Sequence, residues 1–323
     1  MKPGEMTARI LVALGFTLCT AFAFAAPVAI GFVAPDEEPR YTNLLLGLRQ
    51  GLHAAGAGVD KVTIVEHRVP RGDSGRALRA AESLSASHVG VVFVVGTELT
   101  KSIRSVAKEL PIVFITPGDP VRAGLATSLA HPGNNLTGMT FEFPELAAKR
   151  LELLKEIAPT ARQVGVVFDR RDNSPRQGFA ATKEAAARLG MQLVEFDVES
   201  LSRSGSAVAR GVKLDGIVLI PGGAIASVTE MAVKLAAERR IVSVAWSRNE
   251  ATRGSILGYG VNDVEVARNA ARLVLLVLNG HPAGDLPIEQ PTRFELVLNL
   301  KVAKALGIAI PNSLLLRADE VIQ

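Results

Sequence analysis

The chain has 323 residues and a formal charge of +4, so it is long enough for two domains of ordinary size. Its 36 Lys and Arg residues are scattered among 32 Asp and Glu residues without a basic block, which argues against nucleic acid as a partner. The only cysteine, Cys19, lies near the start of the chain.

The first 25 residues have the order of a secretory signal peptide. Lys2 and Arg9 precede the uncharged apolar run Ile10–Phe24, and small alanines follow it. We expect cleavage near Ala25 and a periplasmic location; the alternatives are a retained membrane anchor and a buried first helix. Cleavage removes Cys19, so the mature chain would have no disulfide, thiol nucleophile or cysteine-ligated metal.

Short apolar runs alternate with helical patterns in both halves of the chain, at spacings of roughly 20 to 35 residues that suit βαβ units. Continuous apolar runs are typical of parallel strands buried on both faces, so the repeated pattern predicts an α/β fold with two lobes and mainly parallel sheets. The predicted strands are Val28–Val33, Val62–Glu66, Val89–Val95, Pro111–Thr116, Gln163–Phe168, Gln192–Phe196, Gly216–Ile220 and Ile241–Ala245. The predicted helices are Asn43–Ala55, Ser74–Ser87, Thr100–Glu109, Glu145–Ile157, Ser174–Leu189, Ser227–Arg239, Asp263–Leu278 and Leu300–Leu306.

Three segments without a clear helix, Ala123–Phe143, Gly254–Asn262 and Ile288–Leu298, are candidate crossings between the lobes. None is long or rich in Gly and Ser, so we expect stiff lobes that move about a short hinge. The predicted organisation is a signal peptide over 1–25, lobe I over 26–138 and 260–290, and lobe II over 139–259 and 291–323.

Catalytic, metal and nucleotide motifs do not assemble in this sequence. Gly72–Gly75 (GDSG) imitates a protease nucleophile but opens a predicted helix, so we interpret Asp73 or Ser74 as an N-cap. Ser105–Lys108 matches SxxK without its partner motifs, and the five histidines lack metal-binding spacing. No phosphate-binding glycine loop follows a predicted strand. We therefore expect no enzymatic activity, no metal and no cofactor.

Polar or glycine-bearing loops follow the predicted strands of both halves. Ligands of parallel α/β sheets bind outside the carboxyl ends of the strands, so these loops are predicted to line a small-molecule cleft. Thr97 could instead be a plain N-cap, and Arg171 a solvated loop arginine. The predicted contacts in these loops are Pro35, Thr97, Thr116, Gly118, Arg171, Asn173, Gly222 and Gly223.

Apart from phenylalanines, the aromatic residues are Tyr41, Trp246 and Tyr259. Trp246 ends a predicted strand and is the strongest candidate to stack on a flat or apolar ligand, and Tyr41, just beyond the first strand's loop, is a second. The alternative for Trp246 is a partly buried packing residue at the hinge. We expect Tyr259 to be structural.

Three stretches resemble a bacterial family of ABC-transporter substrate-binding proteins that includes the TrpX-like lipoproteins: Pro111–Gly138, Lys149–Pro159 and, most specifically, Gly284–Ile322. The resemblance implies a type I periplasmic-binding-protein fold, in which two Rossmann-like lobes joined by three hinge crossings clasp a ligand. It also implies delivery of the ligand to a membrane permease driven by a separate ATPase.

Two departures from the family pattern matter. The chain lacks a lipobox at Cys19, which implies a free periplasmic protein. It has Pro221–Gly223 (PGG) where relatives have Pro-Asp, which argues against assuming an aromatic amino acid as the ligand.

Together these features predict a monomeric solute-binding component of an ABC importer, which clasps a small organic solute such as an amino acid or aromatic compound. A sensor subunit that binds its ligand without transport is one alternative, and an exported α/β enzyme is a less favoured one. A cytoplasmic repressor of related fold is disfavoured by the predicted signal peptide.

Overall fold

The computed structural model describes residues 27–36, 39–57, 61–70, 72–141, 144–209, 211–222 and 224–323. The predicted signal peptide (1–25) and the predicted contact Gly223 lie outside the described residues. Within the described ranges, no helix combines the length and apolar character needed to cross a bilayer.

Lobe I is built on a sheet of five described strands in the order β2-β1-β3-β4-β5, and each neighbouring pair is parallel. Strands β3 and β4 are buried along their whole length because helices cover both faces of the sheet. The strands are β1 (Val28–Pro35), β2 (Val62–Val69), β3 (Val91–Val95), β4 (Ile112–Thr116) and β5 (Leu136–Thr140), and the helices between them are α1 (Arg40–Ala54), α2 (Ser74–Ala86) and α3 (Thr97–Val106).

Lobe II is built on a sheet of seven described strands in the order β12-β11-β10-β9-β8-β6-β7, in which β10 and β11 pair antiparallel. The strands are β6 (Gln163–Phe168), β7 (Gln192–Asp197), β8 (Gly216–Leu219), β9 (Val242–Ala245), β10 (Leu257–Gly260), β11 (Glu295–Asn299) and β12 (Glu320–Ile322). The remaining helices are α4 (Pro144–Ile157), α5 (Asn173–Arg188), α6 (Val198–Ser204), α7 (Ala226–Glu238), α8 (Arg248–Thr252), α9 (Asp263–Leu278), α10 (Leu300–Leu306) and α11 (Asn312–Leu315), with short 3-10 turns at Gly205–Ala209 and Ala283–Asp285.

Among the described residues, the chain passes between the two sheets three times. It leaves lobe I after β5, and it returns when β10 leads into α9, which packs against α1 and β4. Glu289 forms an isolated parallel β-bridge with Met139 of β5 in lobe I. The chain then leaves lobe I again, and β11 begins in lobe II. The predicted α/β fold with two lobes and a three-crossing hinge is confirmed, whereas the residue limits assigned to each lobe stay a prediction.

The boundaries of several elements differ from the predicted ones. Helix α1 begins at Arg40 rather than Asn43, and α3 begins at Thr97 rather than Thr100. The predicted N-cap of α2 is confirmed, because Asp73 Oδ1 accepts a hydrogen bond from the Arg76 amide at 2.8 Å. The sequence pattern does not predict α6, α8, α11 or β12, since elements this short carry little periodicity.

Candidate solute-binding cleft

Three threonines lie side by side at the carboxyl ends of the lobe I strands. Thr97 is the first residue of α3 and Thr116 the last residue of β4, and their hydroxyl oxygens share a hydrogen bond. Thr140 ends β5 and donates from Oγ1 to the carbonyl of Gly118. Thr116 and Thr140 are buried while Thr97 is half-buried, so this hydroxyl network reaches the surface at Thr97. The lobe I wall therefore offers hydroxyl groups and the first amides of α3 to a polar ligand.

The lobe II wall is formed by the loop after β6 and the start of α5. Asp172 is the N-cap of α5 and accepts from the Ser174 amide at 3.1 Å, and exposed Asn173 is the first residue of the helix. The Arg171 side chain is 62% exposed, and its Nε donates to Asp169 Oδ1 at 3.1 Å. The guanidinium of Arg171 is thus held in place by Asp169 while it stays open to solvent.

The two lobes touch where Gly118 meets Ser174. A Cβ atom on Gly118 would lie 2.5 Å from Ser174 Oγ and 2.7 Å from Ser174 Cβ. Gly118 also has a φ of +78°, a backbone conformation that favours glycine. This close approach brings the loop after β4 against the start of α5, so the threonines of lobe I and the polar start of α5 border one cleft between the lobes.

The sequence comparison identifies the family. Residues 29–322 match the family described as ABC transporter substrate binding protein. The chain belongs to this family. A tyrosine-binding protein from Clostridioides difficile (strain R20291) is 25% identical to this family member over 295 residues, which cover 90% of this chain and 85% of the relative.

Solved structures share the fold of this substrate-binding family member. An ABC domain from Streptococcus pneumonia in complex with L-Trp matches with a TM-score of 0.83 and 23% identity, and the match covers 92% of this chain and 100% of that one. A ligand-free, open substrate-binding protein with adhesive properties from Clostridium difficile matches with a TM-score of 0.71 and 23% identity, covering 92% and 99% of the two chains. The resemblance seen in the sequence and the type I periplasmic-binding-protein fold are both confirmed.

Tyr41 lies in the core of lobe I rather than in a loop. Its hydroxyl donates to Glu66 Oε2 at 3.1 Å, its ring meets Phe32 edge-on with centroids 5.2 Å apart, and the Arg68 guanidinium lies 3.8 Å from the ring centroid. Burial raises the pKa of the Tyr41 hydroxyl well above its usual range, and the Glu66 carboxylate raises it further. Helix α1 begins at Arg40, so Tyr41 lies on the buried face of this helix. Its ring therefore packs inside lobe I.

Pro35 and Trp246 both lie at carboxyl ends of strands. Pro35 is the last residue of β1 and is half-buried. Trp246 follows β9 directly and is also half-buried, with its ring packed against the lobe II core. Trp246 is therefore partly exposed to solvent at the end of β9. Tyr259 on β10 packs near Phe294, with ring centroids 6.2 Å apart, and its carbonyl accepts from Arg150 Nε at 2.8 Å.

Gly222 packs directly onto the start of α5. It has a φ of +114°, and a Cβ at this position would lie 2.9 Å from Pro175 Cγ. A residue with a side chain at this position would need the two loops to separate. Gly222 thus lets the loop after β8 approach the loop after β6.

The sequence does not single out Thr140, Asp169 or Ser174 as individual contacts, although Asp169 and Ser174 bound one of the strand-end loops predicted to line the cleft. Thr140 lies in a segment predicted as a crossing, and Ser174 is predicted to begin a helix at the end of that loop. The position of Asp169, directly after the continuous apolar strand β6, was a usable signal, because that is where parallel sheets present polar groups.

A second concave surface, of about 650 Å³, lies along α3 and is separate from the predicted contacts. Most of the residues that line it are charged or polar, among them Lys101, Arg104, Lys108 and Asn134. Among the described residues, no group of His, Cys, Asp or Glu side chains is arranged to hold a metal ion.

Proposed function

We propose that this chain is the extracytoplasmic solute-binding component of an ABC importer. In this proposal it clasps an amino acid or a related aromatic compound between its lobes and delivers it to a membrane permease driven by a separate ATPase. The observation that carries the proposal is the contact between Gly118 and Ser174, which brings the strand-end loops of two separate lobes together. A ligand that touches both walls binds this closed arrangement more tightly than an open one, so binding shifts the population towards closure.

The polarity of the two walls favours a solute with an anionic or carbonyl group. Thr97 offers a hydroxyl, and α3 and α5 point their amino-terminal ends towards the loops that meet at Gly118. Trp246 offers a partly exposed ring for a flat or apolar group. One relative is a tyrosine-binding protein and another was solved with L-Trp, which supports aromatic amino acids as the first ligands to test.

The proposed location is the periplasm, with the signal peptide cleaved near Ala25 and without a lipid on Cys19. We propose a monomer whose lobes divide close to the predicted limits, with Met139 and Thr140 kept in lobe I by β5 and Gly260 kept in lobe II by β10. Amino-terminal sequencing of protein secreted from its native host tests the cleavage. A mature chain that still begins at Met1 would contradict the export proposal.

The binding proposal is tested on the mature chain in two steps. Native mass spectrometry of gently purified protein detects a co-purified solute, and thermal shift with the amino acids and their aromatic analogues then identifies which compounds stabilise it. A ligand at a hundred times its Kd stabilises the folded protein by about 2.7 kcal/mol, which is a measurable rise in Tm. No bound mass and no rise in Tm with any compound would contradict the proposal.

Uptake separates transport from sensing. Cells that lack this chain should lose uptake of the identified compound, and the wild-type gene should restore it. Unchanged uptake together with tight binding would favour the sensor alternative.

A further inference from the structure

The Asp169 carboxylate accepts four hydrogen bonds at the start of the loop after β6. Asp169 is only 4% exposed and lies directly after β6. Its Oδ1 accepts from the Arg171 amide at 2.9 Å and from Arg171 Nε at 3.1 Å. Its Oδ2 accepts from Arg171 Nη2 at 3.3 Å and from the Ala224 amide at 3.0 Å.

These bonds keep Asp169 ionised despite its burial. Burial by itself raises the pKa of this carboxyl, but the hydrogen bonds from Arg171 and Ala224 outweigh it and lower the pKa below its ordinary value. The carboxylate is therefore a charged acceptor at neutral pH, and hydrogen bonds to charged groups are among the stronger ones in proteins.

The bond to Ala224 joins two loops that both border the cleft. Asp169 and Ala224 are 55 positions apart in the chain, one in the loop after β6 and the other in the loop after β8. The first loop carries Arg171 and leads into α5, and the second carries Gly222, whose Cβ position would lie 3.3 Å from Asp172 Oδ2. A shift of either loop would therefore move the start of α5, which meets lobe I through Ser174.

We propose that Asp169 is the positioning residue of the lobe II wall: it fixes the loop after β8 against the loop after β6 and so sets the place of α5 in the cleft. The inference rests on the proposed function for its effect on solute affinity. Its effect on the order of the two loops can be measured without any solute.

Asp215 provides a matched control, because it joins β6 and β8 at their amino ends. Asp215 Oδ2 accepts from the Arg162 amide at 2.8 Å and from the Gln163 amide at 2.9 Å. These contacts join the chain just before β8 to the start of β6, and hydrogen bonds to the two amides lower the pKa of Asp215 as well. Asp215→Asn therefore makes the same chemical change at the amino ends of these strands, away from the cleft.

The experiment compares Asp169→Asn and Asp215→Asn with the wild-type mature chain. Site-resolved amide hydrogen exchange should be faster in Asp169→Asn at Ala224 and over residues 170–174, by roughly tenfold or more, because a hydrogen bond to a charged group is lost. In Asp215→Asn the faster exchange should stay near Arg162 and Gln163. The Kd of L-Trp or L-Tyr, whichever the wild type binds, should rise roughly tenfold in the first variant and stay within about twofold in the second.

Equal effects of the two variants on exchange in the cleft loops would overturn the proposal, as would an unchanged Kd in Asp169→Asn. If the wild type binds neither amino acid, the ligand part of the proposed function fails, and the exchange comparison alone decides the positioning role. Should Asp169→Asn not fold, Ala224→Pro removes the same hydrogen bond from the donor side. Because proline has no amide hydrogen, the comparison with Asp215→Asn then uses exchange over residues 170–174 and the Kd.

Discussion

The contact between the lobes at Gly118 and Ser174 makes a sharp prediction for Gly118→Ala. The added methyl would lie 2.7 Å from Ser174 Cβ, and a change of rotamer at Ser174 moves its oxygen but leaves its Cβ in place. An ordinary contact of at least 3.4 Å requires the two segments to separate by about 0.7 Å. Because the segments belong to different lobes, opening the cleft is the least costly way to separate them.

The expected size follows from two separate costs. A left-handed backbone at a residue with a Cβ costs about 1–2 kcal/mol, and this cost lowers Tm whether the cleft is open or closed. The clash acts only on the closed state, so it lowers ligand affinity. Each 1.4 kcal/mol by which closure is disfavoured raises the Kd about tenfold, and we expect a rise of roughly one to two orders of magnitude.

Two further variants separate these costs. Gly124 has a φ of +74° but nothing within 4 Å of its Cβ position, so Gly124→Ala should lower Tm by a similar amount and leave the Kd unchanged. Ser174→Gly removes the Cβ that Gly118→Ala would strike, so the double variant should recover much of the lost affinity. Calorimetric titration gives the Kd, and small-angle X-ray scattering gives the degree of closure. Wild-type affinity in Gly118→Ala, or no recovery in the double variant, would refute this account of closure.

Three other changes have defined outcomes. Thr97→Val should raise the Kd several-fold. It should lower the free energy of unfolding in denaturant by only about 1 kcal/mol, because Thr116 keeps its hydrogen bond to the Pro117 carbonyl at 3.2 Å. An unchanged Kd would make Thr97 a packing residue. Trp246 is the only tryptophan, so binding of a non-fluorescent ligand should shift the fluorescence emission of the protein. Trp246→Ala should weaken binding at least tenfold because the stacking surface is lost. An unchanged Kd would show that Trp246 does not contact the ligand. Burial raises the pKa of Glu250, so the folded state becomes less stable as pH rises through that pKa and the buried carboxyl must ionise. Glu250→Gln should therefore raise Tm at pH 8 and have little effect on Tm near pH 4. The same gain in Tm at both pH values would contradict this reasoning.

Much of the fold could be predicted because buried parallel strands leave a strong local pattern. Strands β3 and β4 are continuous apolar runs, and both are buried along their whole length. The start of α1 could not be predicted in the same way. Its N-cap is Pro39 with no side-chain hydrogen bond, so no capping residue indicated that Tyr41 would be helical and turned into the core.

The cleft was only half predictable for a related reason. The rule that ligands bind at the carboxyl ends of parallel strands leads to Thr97, Thr116 and Gly118 from local sequence alone. The contacts between Gly118 and Ser174 and between Asp169 and Ala224 join segments that are distant in the chain. No periodicity or turn pattern encodes such contacts, since they depend on how the two lobes and their loops are arranged in space.

The two carboxylates at opposite ends of β6 and β8 show how stability and function divide within one sheet. Asp215 joins the strands where no ligand is expected, and Asp169 joins them where the cleft lies. Both carboxylates accept hydrogen bonds from backbone amides, and both have pKa values below that of an ordinary aspartate. Their contributions to the free energy of unfolding are therefore present at neutral pH and are lost only as pH falls through those lowered pKa values. The lobe II wall should therefore keep its shape across the mildly acidic range, and a fall in solute affinity between pH 7 and pH 5 would have to come from the solute or from another group of the protein.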